Sequence, residues 1–205
     1  NGNTTASRNN ILFDANVKNE LIKSVEAGAE IRFFSNRFGI DFSYYKSNAT
    51  NQLINLPMDP TSGYSARKIN AGDIQNQGFE IMVDGQLLQN KRGFNWNISA
   101  NFSRNRNLVK DIYSAGNVTQ YRLGGFDDVG ILAVQNALYG EIYGSKFLRV
   151  EDKGSAQYGQ LILSSTGLPQ RGAPNVRLGN QQATGLMGIT NTFGYKGLTF
   201  AFLVD

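Results

Sequence analysis

The sequence contains neither cysteine nor histidine, and each absence excludes a group of functions. Without cysteine the chain has no thiol nucleophile, no thiolate metal ligand and no disulfide, and its redox compartment cannot be read. Without histidine it lacks the side chain that serves most often as a general base and metal ligand. We therefore expect no catalytic residues, no cofactor-binding residues, no metal ligands and no bound cofactor.

Long apolar runs and concentrated charge are missing as well. No apolar run approaches the roughly 18 residues that mark a membrane-spanning helix, so none is predicted. Charged residues make up only 18% of the chain, and the formal net charge of +4 comes from scattered lysines and arginines. Because there is no basic stripe with interleaved aromatic residues, we expect no nucleic-acid partner.

The residue types that are abundant indicate β-structure. The 205 residues include 23 glycines, 11% aromatic residues and many asparagines. This composition is typical of strands joined by polar loops. The chain is long enough for one sizeable core, but it begins without methionine and stops abruptly, so we expect a fragment of a longer protein.

The clearest hydrophobic period is two. In residues 94–103 every even position is apolar and every odd position is Asn or Ser, which gives a strand one apolar and one polar face. The same alternation recurs in 24–33, 38–45, 79–87, 187–195 and 198–205. In 187–195 the apolar row is interrupted by Asn191. Several runs reach about 12 residues, whereas soluble strands usually have five or six.

Short turns join these strands into hairpins, and the other connections are long. The predicted turns lie at 35–37, 89–93 and 195–197. The hairpins that they close span about 22–50, 74–106 and 184–205. Long loop regions cover 51–68 and 107–183, and a further hairpin is expected there between 141–150 and 160–165. Outer-membrane barrels alternate connections in this way, with short turns at the periplasm and long loops outside the cell.

Eight aromatic residues lie close to the short turns: Phe33, Phe34, Phe38, Phe94, Trp96, Phe193, Tyr195 and Phe200. In a membrane barrel they would form an aromatic girdle, whereas in a soluble β-sandwich the same alternation would form the core. Periodicity alone leaves both open, and strand length favours the barrel. The predicted fold class is all-β, with antiparallel up-and-down strands and long loops forming part of an outer-membrane β-barrel.

Four segments carry motifs in a recognisable order. Residues 19–45 hold a strand pair that turns at Phe33-Phe34-Ser35-Asn36-Arg37, and 70–81 hold an Asn-x-Gly-x-Ile element running into Asn-x-Gly-x-Glu. Phe94-Asn95-Trp96 opens the next strand, and 178–196 run from Leu-Gly-Asn to Tyr-Lys. In this order and spacing the motifs resemble the C-terminal barrel part of the SusC/RagA-type TonB-linked outer-membrane transporters.

The resemblance implies a partial barrel domain over residues 1–205, with no plug domain, TonB box or closing C-terminal strand. It implies import of a glycan or peptide nutrient through the bacterial outer membrane, driven by the TonB complex through the missing plug. Its expected partners are a SusD-like surface lipoprotein and outer-membrane lipid, and no enzymatic activity is expected. The alternatives are a soluble β-sandwich binding or adhesin-like module and, third, an enzyme that uses paired carboxylates.

Candidate residues follow from the predicted faces and loops. Charged residues on the polar faces would line the lumen, where they either contact a polar cargo or simply form a solvated wall: Glu26, Glu30, Arg32, Asp41, Glu80 and Asp84. Four loop tyrosines are candidates either for stacking on sugar rings or for packing within the loops: Tyr121, Tyr139, Tyr143 and Tyr158. The pair Glu151-Asp152 suits either Ca²⁺ or a simple turn. Substrate-binding residues stay unassigned.

Overall fold

The structure, a computed structural model, describes residues 9–205, and its regular structure is almost entirely strand. The strands are β1 (Ile11–Phe13), β2 (Leu21–Phe33), β3 (Phe38–Thr50), β4 (Leu53–Pro57), β5 (Ala66–Asn70), β6 (Asp73–Leu88), β7 (Phe94–Asp111), β8 (Gln120–Phe126), β9 (Val129–Val134), β10 (Glu141–Gly144), β11 (Val176–Asn180), β12 (Leu186–Tyr195) and β13 (Leu198–Val204). Short 3₁₀ helices occupy Pro60–Ser62 and Ser114–Gly116. Among residues 9–205, no helix has the length and hydropathy needed to cross a bilayer. The all-β fold class is confirmed.

Six strands form one antiparallel sheet, which we call the wall. Its order is β13-β12-β7-β6-β3-β2, so every neighbour in space is also the next long strand along the chain. Strands β2 and β13 form its edges, so the described sheet does not close on itself. The four longest strands have 13, 13, 16 and 18 residues, well beyond the usual length of a soluble strand.

Three short turns connect the wall strands in pairs and lie at one end of the sheet. They join β2 to β3, β6 to β7 and β12 to β13. The first places three successive residues in the left-handed region, Phe34, Ser35 and Asn36. The last places Lys196 (φ 46°) and Gly197 (φ 85°) there, the geometry of a two-residue hairpin turn that matches strand twist.

The two long connections fold into bodies of their own at the other end of the wall. The first loop body comprises β4 and β5 with β1, which pairs parallel to β5. The second loop body is the four-stranded sheet β11-β10-β9-β8 and the segment between β10 and β11. The hairpin expected between 141–150 and 160–165 forms only in part. β10 pairs with β9 and β11 instead, and the remaining residues form isolated bridges such as Arg149 with Leu161.

Apolar side chains are buried where the second loop body packs against the far end of β7. Val109, Ile112 and Ala133 form this core, with Ile54 of the first loop body packed against it. The backbone continues the sheet there, since Val109 N donates to Ala137 O at 2.9 Å beyond the last pairing of β12 with β7. The loop bodies are therefore fixed to the wall by both packing and hydrogen bonds.

Candidate functional site: a two-faced wall and a mouth cavity

One face of the wall is apolar across all six strands. The pairing register places Ile31, Ile40, Val83, Ala100, Ile189 and Val204 directly opposite one another. Neighbouring rows repeat the pattern with Phe42, Ile81 and Phe102. In the described part of the chain no second sheet covers this face, and most of its large side chains are exposed. A soluble β-sandwich would bury such a face, so it is suited to lipid.

The predicted aromatic residues gather on the apolar face near the short turns. Phe193 is central, with ring centroids 5.7 Å from both Phe94 and Trp96 and 6.5 Å from Phe200. Asn191, which breaks the apolar row, accepts a hydrogen bond from Trp96 Nε1 at 3.1 Å. An indole that keeps its donor satisfied at the edge of an apolar band is typical of a membrane interface.

The opposite face of the wall is polar and carries the six charged residues predicted for it. Arg32 joins three of them: its guanidinium lies 2.8 Å from Glu30 Oε1, 3.2 Å from Asp41 Oδ2 and 2.5 Å from Asp84 Oδ1. We call these four residues the Arg32 cluster. Glu26 and Glu80 lie on the same face but outside this cluster. Three carboxylates around one guanidinium leave this part of the face negatively charged.

Two glycines make room for side chains that lie flat across the polar face. A Cβ on Gly39 would stand 1.6 Å from the Arg32 guanidinium, and one on Gly78 would stand 2.6 Å from the Tyr45 hydroxyl. Tyr45 crosses Gly78 and reaches Asn105 Oδ1 at 3.2 Å. Strand periodicity does not predict these contacts. Their available signal was a glycine inside a strand pattern, which marks a close approach.

A cavity of about 300 Å³ lies at the end of the polar face, between the wall and both loop bodies. Ile74 and Val109 pair with each other and, by alternation, share the face of Asn76 and Asn107. The remaining lining includes Leu53, Ile54, Lys68, Asp111, Tyr121, Leu123 and Tyr139. We call it the mouth cavity. It combines an apolar floor, two phenol rings, one cation and one anion, a mixture common in ligand pockets.

The structure separates the four candidate tyrosines. Tyr121 and Tyr139 line the mouth cavity, whereas Tyr143 lies on β10 and Tyr158 is exposed in the segment between β10 and β11. The acidic pair behaves as a turn, because Asp152 Oδ1 accepts a hydrogen bond from Gly154 N at 2.9 Å. Within residues 9–205 no group of three or more acidic side chains is placed to hold a metal ion.

The family model described as "TonB dependent receptor-like, beta-barrel" matches residues 1–190. The chain therefore belongs to the TonB-dependent receptor-like β-barrel family, which is located in the bacterial outer membrane, and the β-sandwich alternative is not favoured. It is 33% identical to TonB-dependent receptor P3 of Formosa agariphila over 94 residues, which is 46% of this chain and 9% of the relative. It is 28% identical to receptor P39 of the same organism over 123 residues, which is 60% of this chain and 11% of the relative.

Two solved structures share the fold. The RagAB peptide importer in the "open-open" state superposes with a TM-score of 0.66 at 20% identity, covering 88% of this chain and 19% of that chain. The RagAB peptide transporter gives 0.64 at 21% identity, covering 89% and 20%. The chain thus spans a fifth or less of the length of each of these four proteins. The relatives are receptors and transporters, not enzymes.

Proposed function

We propose that this chain supplies wall, lumen lining and outer loops to a TonB-dependent importer of peptide or glycan nutrients. The observation that carries the proposal is the register of the wall, which sorts apolar and polar side chains onto opposite faces over six strands. Such sorting suits a wall between lipid and an aqueous lumen. Residues 1–205 act as part of a barrel domain, and transport proceeds without covalent chemistry in this part.

The mouth cavity is the proposed contact for cargo. Tyr121 and Tyr139 offer ring faces on which a sugar or an apolar peptide side chain can pack, and Lys68 and Asp111 offer one charge of each sign. RagAB, which shares the fold, is described as a peptide importer. Peptide and glycan are therefore the two cargo classes to test first.

The proposed partners act at opposite ends of the wall. A SusD-like surface lipoprotein would cover the mouth and contact the loop bodies, which extend beyond the apolar band. The TonB complex would act from the periplasm on a plug domain of the whole protein. The Arg32 cluster lies toward the short-turn end of the polar face, because Arg32 is next to Phe33, the last residue of β2. In the whole barrel this cluster would face the lumen in which a plug would sit.

An uptake assay in cells tests the proposal with the full-length protein. Fluorescently labelled oligopeptides and oligosaccharides are supplied to cells carrying the wild type, Tyr121→Ala, Tyr139→Ala or the control Tyr158→Ala. We expect loss of a ring face at the cavity to weaken cargo affinity about threefold to tenfold, whereas the exposed Tyr158 leaves uptake unchanged. Equal uptake of both cargo classes with and without the protein would contradict import, and equal effects of all three variants would contradict the cavity's role.

A further inference from the structure

Four basic residues lie on the apolar side of the wall, just beyond the apolar rows. By register and alternation Lys23 of β2, Lys46 of β3, and Arg104 and Arg106 of β7 share the face of Val25, Phe42 and Phe102. We call them the basic belt. The two rows that hold Lys46 and the arginines are Val25-Lys46-Gln77-Arg106 and Ala27-Tyr44-Phe79-Arg104, and neither contains an acidic residue.

The basic belt forms no direct ion pair among the described residues; the acidic group next to it is Asp73, whose carboxylate accepts a hydrogen bond from Asn48 Nδ2 at 3.1 Å beside Lys23. None of its four side chains forms an ion pair or a side-chain hydrogen bond within residues 9–205, and all four are exposed. Arg104 and Arg106 border a depression of about 200 Å³, together with Tyr44, Gln77 and Phe79. Two guanidinium groups, a phenol hydroxyl and an amide around one hollow are suited to a phosphate group.

The height of the basic belt above the short turns places it at the boundary of the membrane that faces out of the cell. Ten residue steps separate Phe94 from Arg104. At about 3.3 Å per step and a strand tilt of about 40°, this is a height of about 25 Å, the height of the apolar band in such barrels. Phe94 lies at the short-turn end, which faces the periplasm, so Arg104 lies at the leaflet facing outward.

We propose that the basic belt binds the phosphate groups of outer-leaflet glycolipid, with Arg104 and Arg106 holding one phosphate over the depression. Long basic side chains at the edge of an apolar band extend toward lipid headgroups. Lys46 lies two strand spacings from Arg106, about 10 Å, and reaches a second phosphate of the same headgroup or of the next one. The inference rests on the location of the chain in the outer membrane and not on import.

The test measures glycolipid retained by the full-length protein purified from outer membranes in mild detergent, using native mass spectrometry. We expect about fivefold weaker retention for each arginine removed, so that Arg104→Ser/Arg106→Ser loses about 25-fold. The matched control Arg92→Ser/Lys196→Ser removes two exposed charges at the short-turn end and leaves retention unchanged. The variant Arg104→Lys/Arg106→Lys keeps most of the binding.

Two further measurements keep the outcome decisive. Heat-modified migration in gel electrophoresis establishes that each variant is a folded barrel before its lipid is counted. Delipidated protein is then titrated with phosphorylated glycolipid, dephosphorylated glycolipid and inorganic phosphate. Tight binding of the phosphorylated lipid alone supports the proposal. Unchanged retention in the folded double Ser variant, equal binding of the dephosphorylated lipid, or equal affinity for inorganic phosphate overturns it.

Discussion

The wall and the two loop bodies are held together in different ways. Apart from Val109 near the end of β7, the buried residues of the six wall strands are all glycines: Gly39, Gly78, Gly85 and Gly188. Buried side chains lie instead in or against the loop bodies: Ile69, Ala71, Val109, Ile112, Ala133 and Glu141. The wall therefore has no apolar core, and its side chains face lipid and lumen. The loop bodies bury side chains against each other, as a small soluble domain does.

The comparison shows that one sheet can face lipid on one side and water on the other, provided that the pairing register of its strands is fixed. In the wall a slip of one residue would exchange the faces of every strand, so the backbone ladder and the lipid together specify the pairing. In the loop bodies the strands are short and their pairing depends on a few buried contacts. A destabilising substitution should thus affect the whole barrel when it lies in the wall and only nearby strands when it lies in a loop body.

The largest predicted effect comes from placing a charge on the apolar face at mid-height. Ala100 lies there, and its neighbour Asn101 lies on the polar face. Ala100→Arg should lower the free energy of unfolding by about 2–4 kcal/mol, while Asn101→Arg, the same side chain one residue along, should change it little. Urea unfolding of the full-length barrel from lipid vesicles measures both. Equal losses in the two variants would contradict the assignment of the faces.

A smaller and more local effect is predicted in the second loop body. Glu141 is only 2% exposed, and its carboxylate is bound by Arg177 and by Asn180 Nδ2 at 3.1 Å. The Glu141 carboxylate also raises the pKa of the Arg177 guanidinium by accepting its hydrogen bonds. Arg177→Met leaves a buried charge with a single neutral donor, which should cost about 1–3 kcal/mol locally.

Hydrogen exchange of the β10 and β11 amides measures this loss in the full-length protein. The matched control is Arg171→Met, because Arg171 pairs with Asp128 and both side chains are about half exposed. Exposed pairs contribute about 0–1 kcal/mol, so the control should exchange nearly as the wild type does. If Arg177→Met also weakened the distant β2–β3 amides, the expectation that a change in the second loop body stays local would be contradicted.

The same contrast explains how far the sequence predicted the fold. The strict alternation in residues 94–103 predicts one strand and its two faces, because a strand between lipid and water has a period of two that appears within a short stretch of sequence. Glu141 and Arg177 are 36 residues apart, and no local pattern joins them. The Arg32 cluster was predicted only as far as its face, since its distances depend on Gly39 and on the packing across three strands.

The candidate site shows the same limit. The sequence offers four loop tyrosines as equal candidates, and two of them line the mouth cavity. Their selection depends on the pairing of Tyr121 with Ala133 on β8 and β9 and on the contact of Tyr139 with the end of β7. The first contact is set by the β8–β9 hairpin, and the second joins a loop residue to a distant part of the chain, so neither follows from an amphipathic run along one strand.

A third prediction compares a turn of the wall with a strand of the second loop body. Gly197 has a φ of 85° and Gly179 has no positive φ, while a Cβ on either would meet no atom within 4 Å. Gly197→Ala should therefore cost about 1 kcal/mol through backbone conformation alone, and Gly179→Ala should cost nothing. Urea unfolding of the barrel reports the first, and hydrogen exchange of β11 reports the second. A loss at Gly179 would reveal an unseen contact of that strand.

The smallest predicted effect is a pH dependence of the first loop body. The backbone N–H of Asn16 and the Arg67 guanidinium hold the pKa of Asp14 below its ordinary value of 3.8. A carboxyl whose folded pKa is lowered stabilises the folded form above its unfolded pKa and loses that contribution as pH falls through the folded pKa. The amides that join β1 to β5 should therefore lose protection below about pH 3.8, measured by hydrogen exchange corrected for intrinsic rates. Asp14→Asn should remove this pH dependence, and a variant that kept it would assign the effect to another group.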